Sequence, residues 1–294
     1  MLNAGVLGAS GYSGNELVEL LSKHKKVKLA FAQSRSNAGK KTGDIYPGSK
    51  ADIKYTDPSM DEINGVDLVF TALPREEAAA IAPKIKPVLI DLSPAHRFTD
   101  GYVYGLPEAN FETIRNANRI ANPGCYATAC ILGILPLRDE KLGAVAFDCK
   151  SGYSGGGRSK NYDYTENVIP YSLSEHYQKP EVAKFLKHAF SFTPHVVNAF
   201  RGLIATIHVF AELEDVEKKY ADFYEKKHFV KVTREIPDFN SVKNTPYCII
   251  GGISGTKEHT IIVSAIDNLL KGAASQAVEN MNIRFGFRHA EGLA

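Results

Sequence analysis

A chain of 294 residues leaves room for two domains of roughly 100–150 residues each. With 44% apolar and 23% charged residues its composition is that of a soluble globular protein, which excludes disorder and fibrous structure. Thirty-five lysines and arginines against 33 acidic residues give a formal net charge of +2, so there is no general electrostatic drive toward nucleic acid.

The first elements read as strand, glycine turn and helix. Leu2–Leu7 is a short apolar run, Gly8-Ala9-Ser10-Gly11-Tyr12-Ser13-Gly14 follows, and Leu17, Val18, Leu20 and Leu21 then form a helical stripe before a strand at Val27–Ala32. A second round runs through Val66–Thr71, Glu76–Ile81 and Val88–Asp91. Alternation of this kind predicts a doubly wound parallel sheet of Rossmann type, an α/β fold. After Pro123 the texture changes. Cys125–Leu137 reads as a buried helix, and strand-like runs follow at Val145–Lys150, Leu203–Phe210, Phe229–Val232 and Tyr247–Ile253. Grouped strands predict an α+β second domain, and the polar stretch Gly152–Tyr177 reads as a long functional loop. The tail from Ile261 returns to a helical pattern. The expected division is therefore a dinucleotide domain of residues 1–123 with 266–294, and a catalytic domain of residues 124–265. The first residues carry no basic leader or cleavage site, and no apolar stretch approaches the ~20 residues that cross a bilayer, so a cytoplasmic chain away from membranes is expected.

Gly8, Gly11 and Gly14 lie between a strand and a helix, where bare backbone lets a pyrophosphate approach and the helix N-terminus supplies N–H groups and partial positive charge. Ser10, Tyr12 and Ser13 share that turn. The second strand ends in Gln33-Ser34-Arg35-Ser36, with no carboxylate for ribose hydroxyls and an arginine flanked by two hydroxyls. That set suits a 2′-phosphate and points to NADP(H) rather than NAD.

The four cysteines, at 125, 130, 149 and 248, show no CxxC pair and no Cys/His zinc spacing, so no metal is expected and the thiols should be reduced. Three lie in apolar runs and read as small core residues. Cys125 differs: Pro123 and Gly124 break the preceding strand, which puts it at a helix start where the dipole favours a thiolate. An ordinary thiol with pKa ≈ 8.5 is only about 3% ionised at pH 7, so that placement matters for reactivity.

The stretch IANPGCYATACILGILP resembles the active-site signature of the N-acetyl-gamma-glutamyl-phosphate reductases. The likeness runs through nearly the whole chain, in GASGYSGNELVELL, SRSNAGKK, DLSPAHRF, YGLPE, SGYSGGGRS, FTPHVVNAFRG and AIDNLLKGAASQAVENMN. The resemblance implies a dinucleotide domain joined to a semialdehyde-dehydrogenase-type catalytic and dimerisation domain, assembled as a homodimer or homotetramer. It implies NADPH-dependent reduction of N-acetyl-glutamyl 5-phosphate to the semialdehyde, a step of arginine synthesis, through a thioester on Cys125. Asn122 and the backbone at Cys125 are candidate donors to the developing oxyanion. The family's His-x-His-x-Pro-Glu pattern matches His176-Tyr177-Gln178-Lys179-Pro180-Glu181, making His176 the candidate base and proton donor, while Gln178 replaces the second histidine. Arg97 matches a phosphate-binding arginine. Tyr171 and Arg201 are candidates for the substrate's carboxylate and amide, Ser154, Gly155 and Gly156 for the nicotinamide, and Asn268 for a further cofactor contact.

Two competing readings share parts of these motifs. A carrier-protein-linked aminoadipyl-phosphate reductase of lysine synthesis would use all of them. A non-catalytic dinucleotide sensor would need the glycine turn but have no use for Cys125, His176 and Arg97 together. Aspartate-semialdehyde dehydrogenase is more distant, because the NPGCYAT context speaks against it.

Overall fold

Leu2–Leu7 forms β1, and its side chains alternate between two apolar layers: Ala4 and Val6 enter one core, Leu7 the other. The computed structural model that shows this describes residues 1–158 and 163–293. The chain divides into two units, Met1–Pro123 with Ala273–Ala294, and Gly124–Gly272.

In the first unit β1 is followed by α1 (Tyr12–Ser22), β2 (Val27–Gln33), two short helices α2 (Thr42–Ile45) and α3 (Met60–Asn64), β3 (Leu68–Thr71), α4 (Arg75–Ile81), β4 (Val88–Asp91), β5 (Val103–Tyr104), α5 (Pro107–Arg115) and β6 (Arg119–Ala121). The sheet order is β2-β1-β3-β4-β6-β5 and every pairing is parallel. Parallel strands buried on both faces need near-continuous apolar sequence, and all four residues of β3 are buried.

The second unit runs through α6 (Cys125–Ile134), β7 (Val145–Gly152), β8 (Val168–Pro170), α7 (Lys179–Ala183), β9 (Phe190–Val197), β10 (Leu203–Val209), α8 (Val216–Tyr224), β11 (Val230–Val232), α9 (Phe239–Val242), β12 (Cys248–Thr256) and β13 (His259–Ile266). Its sheet is mixed, in the order β11-β12-β13-β10-β7-β9-β8. On β10 the residues Leu203, Ala205, Ile207 and Val209 are buried and alternate with half-buried Ile204, Thr206 and His208, as period-2 patterning requires. α6 lies against β10 and β13. The last helix, α10 (Ala274–Arg284), belongs to the first unit, where Ala274, Ala277, Val278, Met281 and Ile283 join the core that also holds Leu17, Val18 and Leu21 of α1.

Two readings of the sequence are corrected here. The tail read as helical from Ile261 first completes β13, and the chain returns to the first unit at Ala273 rather than at Ile266. The stretch 152–177 holds a short strand, β8, and a tight helical turn at Tyr153–Gly156. Residues 159–162 of that stretch, including the final serine of SGYSGGGRS, lie outside the described residues. β9, Phe190–Val197, has no counterpart among the strand-like runs of the sequence.

Candidate active site

The glycine turn is built by three different constraints. Gly8 has φ of +76°, and a Cβ there would come within 2.6 Å of the Ala72 carbonyl oxygen. A Cβ at Gly14 would collide with the Gly8 carbonyl oxygen. Gly11, the N-cap of α1, is the opposite case: a Cβ would meet nothing closer than the Gly8 oxygen at 3.5 Å. Gly8 and Gly14 therefore make the turn, whereas Gly11 leaves an open backbone face at a helix N-terminus, a cradle a Cβ would fill. Ser10, Gly11, Tyr12 and Ser13 are half-exposed around it. This arrangement fits a dinucleotide pyrophosphate. Gly11→Ala is expected to fold with near wild-type thermal stability yet raise the Kd for the dinucleotide at least about tenfold, since one methyl then occupies the approach path. Gly14→Ala is expected to lose folded protein instead. Calorimetric titration with differential scanning would read both, and equal dinucleotide affinity in Gly11→Ala would remove the turn from the site.

Around the turn the structure adds residues that local reading missed. Gln33, buried at the end of β2, accepts the Gly8 N–H through Oε1 at 3.0 Å and so ties strand end to glycine turn. The Ser10 and Ser34 hydroxyls are hydrogen-bonded at 2.7 Å. Arg35 is largely exposed, and its Nη1 stands 3.8 Å from Glu77 of α4. An exposed pair of this kind contributes little stability and leaves the guanidinium able to exchange partners. Ser36 is exposed beside it.

In the second unit, Cys125 is the first residue of α6 with Gly124 as N-cap. From Ile120 to Leu135 every residue is buried except Cys125, which is half-buried. Gly272 packs against it: a Cβ there would lie 2.5 Å from the Asn268 carbonyl oxygen and 2.7 Å from the Cys125 Cβ, so only glycine fits beside the cysteine. The other cysteines are buried. Cys130 and Cys149 have their sulfurs 3.5 Å apart, and burial, then its hydrogen bond to Cys149, pushes the Cys130 thiol well up.

Two side chains from around α7 hold the N-terminus of α6. Glu181, fully buried, accepts the Gly124 N–H at 3.0 Å, and the Gln178 Oε1 accepts the Ala127 N–H at 3.0 Å. These are side-chain caps supplied from more than fifty residues away. Gln178 thus fills the position of the family's second histidine with a neutral cap, and its Nε2 donates to the Tyr177 hydroxyl at 2.9 Å. The Gln178 backbone N–H points at Nδ1 of His176 at 3.2 Å, which puts the proton of the neutral ring on Nε2. His176 is buried in an aromatic cage, with ring centroids of Tyr126 and Tyr171 each at 5.6 Å, Phe192 at 5.2 Å and Tyr177 at 4.7 Å. The cap on Ala127 and the ring contact from Tyr126 hold the imidazole near the end of α6 that bears Cys125. Burial pushes the Tyr126 and Tyr171 phenols up, so both stay protonated.

The remaining predicted residues take varied places. Asn122 is fully buried, donates from Nδ2 to the Ala273 carbonyl at 3.1 Å and accepts from Asn280 at 3.1 Å. These bonds tie both its amide nitrogen and its amide oxygen to the last segment of the first unit. Arg97 is buried, with Nε on the Asn122 carbonyl at 3.1 Å and Nη2 on the Leu92 carbonyl at 3.2 Å. Its loop is anchored by Asp91, which accepts from Thr71 and Ser93 and faces His96 Nδ1 at 2.6 Å. Arg201 Nη1 bonds Asn244 at 2.7 Å and the buried Asp267 carboxylate at 3.2 Å. Asn268 donates to the Ser154 hydroxyl at 2.9 Å and accepts the Gly202 N–H at 2.8 Å, so it supports the Ser154 loop from behind while Gly155 and Gly156 stay exposed. Among the described residues no cluster of His, Cys, Asp and Glu could hold a metal, and no helix is long and apolar enough to cross a membrane.

Comparison with known proteins follows the same division. Residues 3–117 match the model described as semialdehyde dehydrogenase, NAD binding domain, and residues 125–268 the model described as semialdehyde dehydrogenase, dimerisation domain. The chain is similar to N-acetyl-gamma-glutamyl-phosphate reductases of Methanosphaera stadtmanae, at 39% identity over 99% of this chain and 97% of that one, and of Methanocaldococcus jannaschii, at 37% over 100% and 98%. In fold it is similar to aspartate semialdehyde dehydrogenase II of Vibrio cholerae, with a TM-score of 0.81 and 18% identity over 97% of this chain and 98% of that one. The aspartate semialdehyde dehydrogenase of Candida albicans, solved with NADP, gives a TM-score of 0.77 at 18% identity over 96% and 98%.

Proposed function

The chain belongs to the semialdehyde dehydrogenase family, and within it to the N-acetyl-gamma-glutamyl-phosphate reductases, and we infer that it converts N-acetyl-L-glutamyl 5-phosphate to N-acetyl-L-glutamate 5-semialdehyde and phosphate, in arginine biosynthesis. The names of the relatives favour this over an aminoadipyl-phosphate substrate. The observation that carries the chemistry is Cys125, half-buried at the N-terminus of an otherwise buried helix.

A thiolate there attacks the acyl carbon, a C–S bond forms, and the C–O bond to the phosphoryl group breaks to leave a thioester and free phosphate. The helix N-terminus favours the ionised sulfur. NADPH, when bound at the glycine turn, supplies the hydride that reduces the thioester carbonyl. The resulting thiohemiacetal oxygen needs a donor, and Nε2–H of His176 is the one the tautomer argument provides. Collapse re-forms the C=O bond and expels the Cys125 thiolate. Arg97, through its guanidinium, is the proposed contact for the phosphoryl group, with Tyr171 and Arg201 toward the rest of the substrate. The buried Arg201–Asp267 pair leaves Arg201 less charge to offer than an isolated guanidinium. The match to a dimerisation domain supports self-association as a homodimer or homotetramer.

For the cofactor, Ser34, Arg35 and Ser36 support NADP(H) over NAD. The test is a steady-state assay with N-acetyl-glutamyl phosphate and each reduced dinucleotide, run on wild type and Arg35→Ala. The wild type should turn over with NADPH, and Arg35→Ala should lose at least about tenfold in the NADPH-to-NADH ratio of kcat/KM as a charge-assisted phosphate contact goes. An unchanged ratio would take Arg35 out of the site. Absence of turnover with both would end the reductase reading.

A further inference from the structure

We propose that a cavity inside the second unit, walled in part by two of the tyrosines that cage His176, receives the uncharged acylamino end of the substrate and selects the acyl group. This rests on the reductase reading above. The cavity measures about 240 Å³ and is bounded by the rings of Tyr126, Tyr164 and Tyr171, by the Gly155 backbone, and by Ile169 and Val196. That is below the roughly 300–1,000 Å³ of sites that enclose whole drug-sized ligands, so it suits a fragment of a substrate whose reacting end lies elsewhere.

Position and chemistry agree. Tyr126 follows Cys125 in α6, and Tyr126 and Tyr171 are both cavity wall and edge-on neighbours of His176, each at 5.6 Å. A group in the cavity is thus one ring away from the imidazole. None of the described lining residues is charged. A free α-ammonium would enter without a counter-ion, and burying an unpaired charge is costly. An acylamide brings no charge: its alkyl part meets Ile169 and Val196, and its polar atoms meet hydroxyls such as Ser151 and the tyrosines. Ile169 and Val196 are register partners on antiparallel β8 and β9, so they form a fixed apolar wall whose depth is set by two side chains.

The experiment is the reverse reaction with phosphate and NADP+, using glutamate 5-semialdehydes carrying N-formyl, N-acetyl or N-butyryl groups. Wild type is compared with Val196→Phe, which shortens the cavity, and Val196→Ala, which deepens it. One methylene in an apolar pocket is worth about tenfold or more in kcat/KM. Val196→Phe should therefore lose at least about tenfold on N-acetyl relative to N-formyl substrate, and Val196→Ala should gain about tenfold on N-butyryl relative to N-acetyl, both with KM for NADP+ unchanged. If Val196→Phe does not fold, the Val196→Ala ratio alone decides. Equal responses across the three acyl groups would overturn the assignment. So would a change confined to KM for NADP+, which would give the cavity to the nicotinamide. No turnover of any N-acyl semialdehyde by wild type would instead overturn the underlying reductase reading.

Discussion

Cys125→Ser is expected to lose on the order of 10⁴-fold or more in reductase turnover while keeping the wild-type fold and melting temperature. A serine hydroxyl is not ionised near neutral pH and forms an ester that resists hydride attack, so neither half-reaction survives. The substitution exchanges one atom beyond the Cβ and leaves the Cβ that faces Gly272 in place. No other thiol can take over. Cys130, Cys149 and Cys248 are buried, and the Cys130 thiol is held in its protonated form by burial and by Cys149. Native alkylation with iodoacetamide should therefore take up one equivalent in the wild type, at Cys125, with parallel loss of activity, and none in Cys125→Ser. Activity within tenfold of wild type in the variant would remove the thioester from the mechanism. Alkylation of a different cysteine with the same loss would relocate the nucleophile.

What could be read along the chain and what could not divide by the range of the forces involved. The strand, glycine turn and helix at Leu2–Ser22 are encoded by neighbours: period-2 and period-3.6 apolar spacing, and glycines whose necessity is local. The position of Cys125 at a helix start was legible because Pro123 and Gly124 end the preceding strand three residues after Ile120. By contrast, β9 carries Pro194, which cannot donate to a ladder and so weakens the strand signal, yet β7 and β8 hold it from both sides. β13 overlaps the start of a tail that reads as helical, because Ile266, Leu269, Leu270, Ala273, Ala274, Ala277 and Val278 fit helical spacing. Only its antiparallel neighbours β10 and β12 settle the choice. The caps on α6 by Gln178 and Glu181, the Gln33 bond to Gly8, and the Gly272 contact with Cys125 are all long-range in sequence. No periodicity within one segment encodes such pairs. The bonds of Asn122 have the same character: its partners Ala273 and Asn280 come from the far end of the chain.

Replacement of His176 separates two roles that the sequence motif leaves merged, and the outcome follows from the tautomer. With the Gln178 N–H directed at Nδ1, a proton on that nitrogen would face another donor, so the neutral ring carries its hydrogen on Nε2. In that state Nε2 donates to an oxygen and has no lone pair with which to remove a proton from the thiol. On that proposal the thiolate comes from the helix N-terminus, and the imidazole acts on the thioester and thiohemiacetal oxygens rather than as the base for the thiol. His176→Ala should lower kcat by about 10²–10³-fold, the usual effect of deleting one oxyanion donor. It should leave the pH dependence of Cys125 alkylation unchanged, because the thiolate does not depend on the ring. His176→Gln, which places an amide N–H close to the former Nε2 and cannot exchange a proton, should retain at least about tenfold more activity than the alanine variant. If the two variants are equally inactive, or if alkylation of Cys125 shifts to higher pH in both, then His176 serves as the base for the thiol, and the Gln178 contact does not set its working tautomer.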